Sequence, residues 1–157
     1  MRHVAVLTTA FLLLASGTAA ADYSKKVTAS FKGQLIVSDA ELPVGKDDKA
    51  TIGDIKKAKR AELKGEPNGD GVTAWRFHYT AFLGKPATAT LRLKFFTADK
   101  GQFAADQGLS GVDPKASVLA GDISITEDEG LTKGKAYVVK LVNANDVVLA
   151  QTPLTVN

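Results

Sequence analysis

The chain contains no cysteine in 157 residues. Disulfide frameworks, cysteine-ligated zinc and thiol nucleophiles are therefore excluded. Its stability must come from packing alone, or from packing plus a partner. Histidine is almost as scarce, with His3 and His78 the only two. An excess of one charge is also missing: 20 basic residues against 17 acidic ones leave a net of +3. That balance is too weak to argue for nucleic acid. No apolar run reaches the about 20 residues needed to span a bilayer as a helix, and beyond the N-terminal segment no helical stripe of convincing length appears.

What is present begins with the N-terminal segment. Arg2 supplies a short positive start, Val4 to Ala15 an apolar run, and Ala19-Ala20-Ala21 an A-x-A cleavage signal. That is the pattern of a secretory signal peptide over residues 1–21. Cleavage there would leave residues 22–157, a 136-residue chain when 21 are taken from 157. That length suits one domain with a sizeable core. Removing Arg2 leaves 19 basic against 17 acidic residues, a net of +2. No cysteine follows the apolar run, so a lipid anchor has no attachment point, and a free periplasmic or secreted protein is expected.

Short alternating runs separated by turn clusters follow, the pattern of an all-β chain. Val27 to Ser38 reads as one strand or a pair, bent at Gly33. Asp39 to Gly53 reads as loop. Ile55 to Gly65 has helix propensity but precedes a turn, and is read as a strand. Glu66 to Gly71 is a turn, since Asn68-Gly69 and Asp70-Gly71 supply the positive φ that tight hairpins need. Val72 to Leu83 is the clearest strand, with Trp75, Phe77, Tyr79 and Ala81 on one face and Arg76, His78, Thr80 and Phe82 on the other. Thr88 to Ala98 repeats the alternation, with Leu91, Leu93 and Phe95 on the apolar side. Asp99 to Ala116 reads as a long surface loop, and Ser117 to Thr126 as a strand with Leu119, Ile123 and Ile125 inward. Ala136 to Val142 and Val147 to Val156 read as a terminal hairpin.

The stretch Leu131-x-x-Gly134-x-x-Tyr137-x-Val139-x-Leu141 resembles the tyrosine corner of fibronectin type III and related immunoglobulin-like domains. The resemblance implies a tyrosine opening the penultimate strand, its hydroxyl bonded back to the corner's backbone. A chain crossing between sheets leaves unpaired backbone groups, and a buried phenol can satisfy one. Leu131 would plug the core and Gly134 would allow the sharp turn. Trp75 on an earlier central strand agrees with such a sandwich. The expected fold is a single antiparallel β-sandwich, immunoglobulin-like with Greek-key links and about seven strands.

Candidate chemistry is sparse. Once the leader is removed His78 stands alone, so neither a histidine-rich metal site nor a Ser-His-Asp triad assembles readily, and it reads as an exposed strand residue. Glu66-x-Asn68-x-Asp70-Gly71 starts like a calcium loop but reaches Phe77 where a bidentate glutamate is required. Asp47-Asp48 and Glu127-Asp128-Glu129 could share a cation, or be solvated loop charge. The run Lys56-Lys57-Ala58-Lys59-Arg60 could meet an anionic polymer, or protect an edge strand. If the strands at 72–83 and 88–98 form a hairpin with a shared buried face, Arg76, His78, Arg92, Lys94 and Phe96 gather on its opposite face. Such a cluster would suit a protein or an anionic glycan of the cell envelope. The expected function is that of an exported, non-catalytic interaction domain with no cofactor, no metal and no nucleic-acid partner. The alternative is a periplasmic small-ligand or calcium-binding protein.

Overall fold

Alternation from Trp75 to Ala81 makes the inner face of the strand on which the architecture is built. The computed structural model describes residues 18–20 and 22–157. In chain order the elements are β1 (Thr18–Ala20), α1 (Lys25–Ser30), β2 (Leu35–Ser38), α2 (Asp48–Ala58), β3 (Glu62–Leu63) and β4 (Glu66–Pro67). Next come β5 (Thr73–Phe82), β6 (Leu91–Thr97), β7 (Phe103–Leu109), β8 (Val118–Thr126), a 3₁₀ turn at Glu127–Glu129, β9 (Lys135–Asn143) and β10 (Val148–Val156). The expected leader falls outside the described residues except for Thr18–Ala20, which pair antiparallel with β8.

Two sheets face each other. Sheet I runs β1-β8-β5-β2, with β4 also on β5, and sheet II runs β3-β10-β9-β6-β7. Seven strands have four residues or more, β2 and β5 to β10. The chain is therefore a sandwich-like all-β fold. Links from β5 to β6, β7 to β8 and β8 to β9 cross between the sheets, while β6–β7 and β9–β10 stay within sheet II. The sheets are not wholly antiparallel. β3 joins β10 in parallel, Glu62 opposite Thr155, and Gln34 bridges Gln151 in parallel.

The inner faces close over Trp75, Phe77 and Tyr79 from β5, Leu93 and Phe95 from β6, Leu119, Ile123 and Ile125 from β8, and Val139 and Leu141 from β9. Burying each large apolar side chain contributes roughly 1.5 to 3 kcal/mol before entropy is counted. A second cluster lies on the outer face of sheet I. There Val27, Phe31, Leu42 and Ile55 cover Ile36, Phe82 and Val118. The Phe31 and Phe82 ring centroids stand 5.1 Å apart.

This second layer corrects three readings of the sequence. Residues 25–30 are helical rather than extended, because the Ser24 side chain accepts from the Val27 amide and caps the first turn. The segment begun by Asp47 is α2, since its carboxylate accepts from the Ala50 amide at 2.8 Å. Ile55 to Ala58 is the end of that helix rather than an edge strand, with Lys56 and Lys57 in the last turn, where the helix dipole favours cations. The supposed loop after Asp99 also holds an edge strand, β7, which buries Ala105 and Leu109.

The corner between β8 and β9 closes as its residues require. Tyr137 is 1 % exposed, and its hydroxyl accepts from the Thr132 amide at 2.8 Å. Leu131 is buried, and Gly134 takes a φ of +81°. Gly130, at φ +116°, passes so close to the Ala104 carbonyl that a Cβ there would stand 2.2 Å from its oxygen. Tyr137→Phe leaves the Thr132 N–H without this acceptor, and urea unfolding should show a loss of about 1 to 2 kcal/mol. Unchanged stability would mean that the hydroxyl contributes nothing to the corner. Gly130→Ala should cost more than Tyr137→Phe in the same assay, since both its φ and its space are unfavourable to a side chain.

Candidate interaction surface

Side-chain parity places Arg76 and His78 outward on β5 and Arg92, Lys94 and Phe96 outward on β6. Pairing then separates the two groups. β5 bonds to β2, β4 and β8, and β6 to β7 and β9, so the expected β5–β6 hairpin does not exist. Stacked sheets lie about 10 Å apart with outer faces directed oppositely. The cluster of Arg76, His78, Arg92, Lys94 and Phe96 is thus divided between the two sides of the sandwich.

On sheet I, Arg76 is exposed beside Lys64, Glu66 and Pro67 in a shallow pocket. His78 is not the exposed strand residue its position suggests. It stands between Ser38 of β2 and Asp122 of β8 and is only 8 % exposed. Its Nδ1 lies 2.9 Å from Asp122 Oδ1, while Nε2 is buried without a hydrogen-bond partner. A ring so enclosed is no contact surface for a macromolecule.

On sheet II, Arg92, Lys94 and Phe96 remain together and gain neighbours. Lys94 faces Lys140 of β9 directly, and Phe96 faces Val138. Like charges so placed destabilise a sheet unless relieved. Relief comes from acids supplied by other segments. Lys94 Nζ donates to Asp146 Oδ1 at 2.6 Å, and the Arg92 guanidinium is held by Asp106 of β7. The hydrogen bond to Asp106 pushes the Arg92 pKa above its ordinary value. Lys140 has a different neighbour. Its Nζ sits 4.8 Å from the centroid of the Phe96 ring, an attractive placement over the negative π face.

Phe96 also meets Phe103 of β7 edge to face, with centroids 6.0 Å apart. Phe103 is 57 % exposed and Val148 37 %, two of the three large apolar side chains most open to solvent among the described residues. These groups line a cavity of about 380 Å³ with Lys94, Lys140, Val142 and Asp146. A second, of about 650 Å³, lies on the other side of Lys140 and is lined by Gln34, Lys59, Val138, Gln151 and Pro153 among others. Lys140 is common to both.

Lys140, Phe103, Gln34 and Gln151 escaped the sequence reading. Lys140 was findable: with Tyr137, Val139 and Leu141 inward, it must point out. Phe103 was hidden because its segment reads as loop.

The candidate cation groups have other roles. Asp47 caps α2, and Asp48 accepts from the Ser24 hydroxyl at 2.6 Å. Glu129 accepts from the Thr126 amide at 2.7 Å, and Glu127 from the Thr73 amide at 3.3 Å. Asn68 Oδ1 accepts from the Asp70 and Val72 amides, closing the turn instead of a calcium loop. Among the described residues no three His, Cys, Asp or Glu groups converge as a metal site would require, and no helix is long and apolar enough to cross a membrane. No family model matches the chain, and no curated protein shows significant similarity to it.

The Lys94–Asp146 pair is partly solvated, with Asp146 69 % exposed. A double-mutant cycle with Lys94→Ala and Asp146→Ala should give a coupling of about 0.2 to 1 kcal/mol that shrinks in high salt. A coupling of zero would show that the acid does not relieve the Lys94–Lys140 opposition.

Proposed function

We propose that this is an exported, non-catalytic, immunoglobulin-like domain that binds a partner in the cell envelope through the outer face of sheet II. The observation that carries the reading is the half-exposed aromatic and basic cluster of Phe96, Phe103 and Lys140, rimmed by Val148. Exposed rings beside a cation are what binding surfaces concentrate. Strand order supports the fold relationship. β2, β5 and β8 stand where strands A, B and E stand in immunoglobulin sheets, and β6, β9 and β10 where C, F and G stand. The Tyr137 bond supports it further. The leader pattern of residues 1–21 supports export, with the mature chain starting at Asp22 and held in the periplasm or released.

Absence of catalysis is supported by the enclosure of His78, which is only 8 % exposed on the outer face of sheet I. A cation-carrying role is weakened because Asp47, Asp48, Glu127 and Glu129 already accept hydrogen bonds from the protein.

Expression from the full coding sequence should yield a secreted product beginning at Asp22, read by intact mass. Immobilised, it should retain envelope components. Phe103→Ser/Val148→Ser should lower that retention several-fold, while Arg76→Ser on the opposite sheet leaves it unchanged. Equal retention by all three proteins would reject this face as the binding surface.

A further inference from the structure

We propose that the outer face of sheet II binds an acidic polysaccharide laid across β9, with Lys140 at the crossing point. The proposal rests on the interaction reading above and adds the chemistry of the ligand.

The two cavities that meet at Lys140 differ in character. On the β7 side the walls are the Phe96 and Phe103 rings with the Lys94–Asp146 pair beside them, and the exposed Phe103 ring offers flat apolar surface to the C–H face of a sugar. On the β10 side the exposed Gln34 and Gln151 side chains carry amides that both donate and accept, as neighbouring sugar hydroxyls do. Lys140 and Lys59 supply the charge. Among the described residues neither forms an ion pair, whereas Arg92, Lys94 and Arg60 are each matched with an aspartate. The unpaired cations Lys140 and Lys59 therefore line the β10 side of the trough, while the β7 side also holds the neutralised Lys94–Asp146 pair. Lysine is a compact point charge rather than a planar fork, which suits scattered carboxylates or sulfates on a flexible chain.

Backbone geometry favours a glycan over an acidic polypeptide. β9 is paired on both sides, by β6 and β10, and the β10 backbone is engaged beyond it, Gln151 N donating to Gly33 O at 3.1 Å. The floor of the trough has no free ladder groups with which an extended peptide could add as a strand. Recognition there must use side chains alone, and those present match hydroxyls, C–H faces and anions.

The test uses protein purified from the full coding sequence and three soluble probes: polygalacturonate, neutral dextran and poly-L-glutamate. Wild type should bind polygalacturonate, not dextran, and more weakly as salt rises. Lys59→Gln/Lys140→Gln should weaken that binding about tenfold, the size expected when two exposed ion pairs are lost. Phe103→Ser should weaken it several-fold at unchanged charge, and Arg76→Ser should have no effect. Thermal melts matching wild type would confirm that each variant is folded. Poly-L-glutamate binding of equal strength, indifferent to Phe103→Ser, would overturn the proposal in favour of an acidic protein. Failure to bind polygalacturonate would overturn it too. If envelope retention still depended on Phe103 and Val148, the broader interaction reading would survive that failure.

Discussion

Burial of β5 on both faces is the constraint on which the rest of the molecule depends. Trp75, Phe77, Tyr79 and Ala81 enter the space between the sheets, while Thr80 and Phe82 are sealed on the other side, Phe82 beneath α1. The strand's edges are also largely taken, by β4 at Thr73 and Ala74 and β2 from His78 to Ala81 on one side and by β8 on the other. The end of the strand from which the next would turn back is paired on both sides, so the chain crosses to sheet II before β6 begins. The far end of the chain is tied to the same strand, since Trp75 Nε1 donates to the Asn157 main-chain oxygen at 3.1 Å. Gly65 makes room for that bond, because a Cβ there would stand 2.8 Å from the indole nitrogen. Without a disulfide, such interdigitation is what ties distant segments of the chain together.

Much of this was legible in sequence where alternation was strong. β5, β6, β8, β9 and β10 lie within a few residues of their expected bounds, because each carries three or more inward apolar side chains at period two. The helices were not legible, and the reason is physical. α1 buries Val27 and prepares Phe31, four residues on, while α2 buries Thr51 and Ile55. One i, i+4 pair is too short a stripe to outweigh neighbouring strand signals. The usable clues were the caps, Ser24 and Asp47, which precede those pairs. β7 failed for a related reason. An edge strand that buries only Ala105 and Leu109 spells out Gly, Asp and Gln elsewhere, the vocabulary of a loop.

The candidate face was half legible. Parity along a strand tells which side of its own sheet a residue faces, and it placed Arg92, Lys94 and Phe96 correctly with respect to one another. Parity cannot tell which sheet a strand joins, so it grouped Arg76 and His78 with residues that lie on the opposite side of the molecule. His78 shows a second limit. Its outward parity holds, yet the ring is enclosed, because outer-face burial depends on what other segments lay over the strand.

That covering makes the two outer faces unequal. Sheet I carries α1, α2 and the segment holding Leu42, whereas among the described residues the centre of sheet II carries no such layer over β6 and β9. Charged side chains keep the bare face in water, at the cost of setting Lys94 opposite Lys140. Asp146 neutralises the first of these and the Phe96 ring holds the second, but a π face offsets less charge than a carboxylate does at an exposed site. Lys140, with no acidic partner among the described residues, is left with unspent attraction for an anion near the middle of the outer face of sheet II. A face built this way stays in contact with water, and its residual charge lies where two cavities meet.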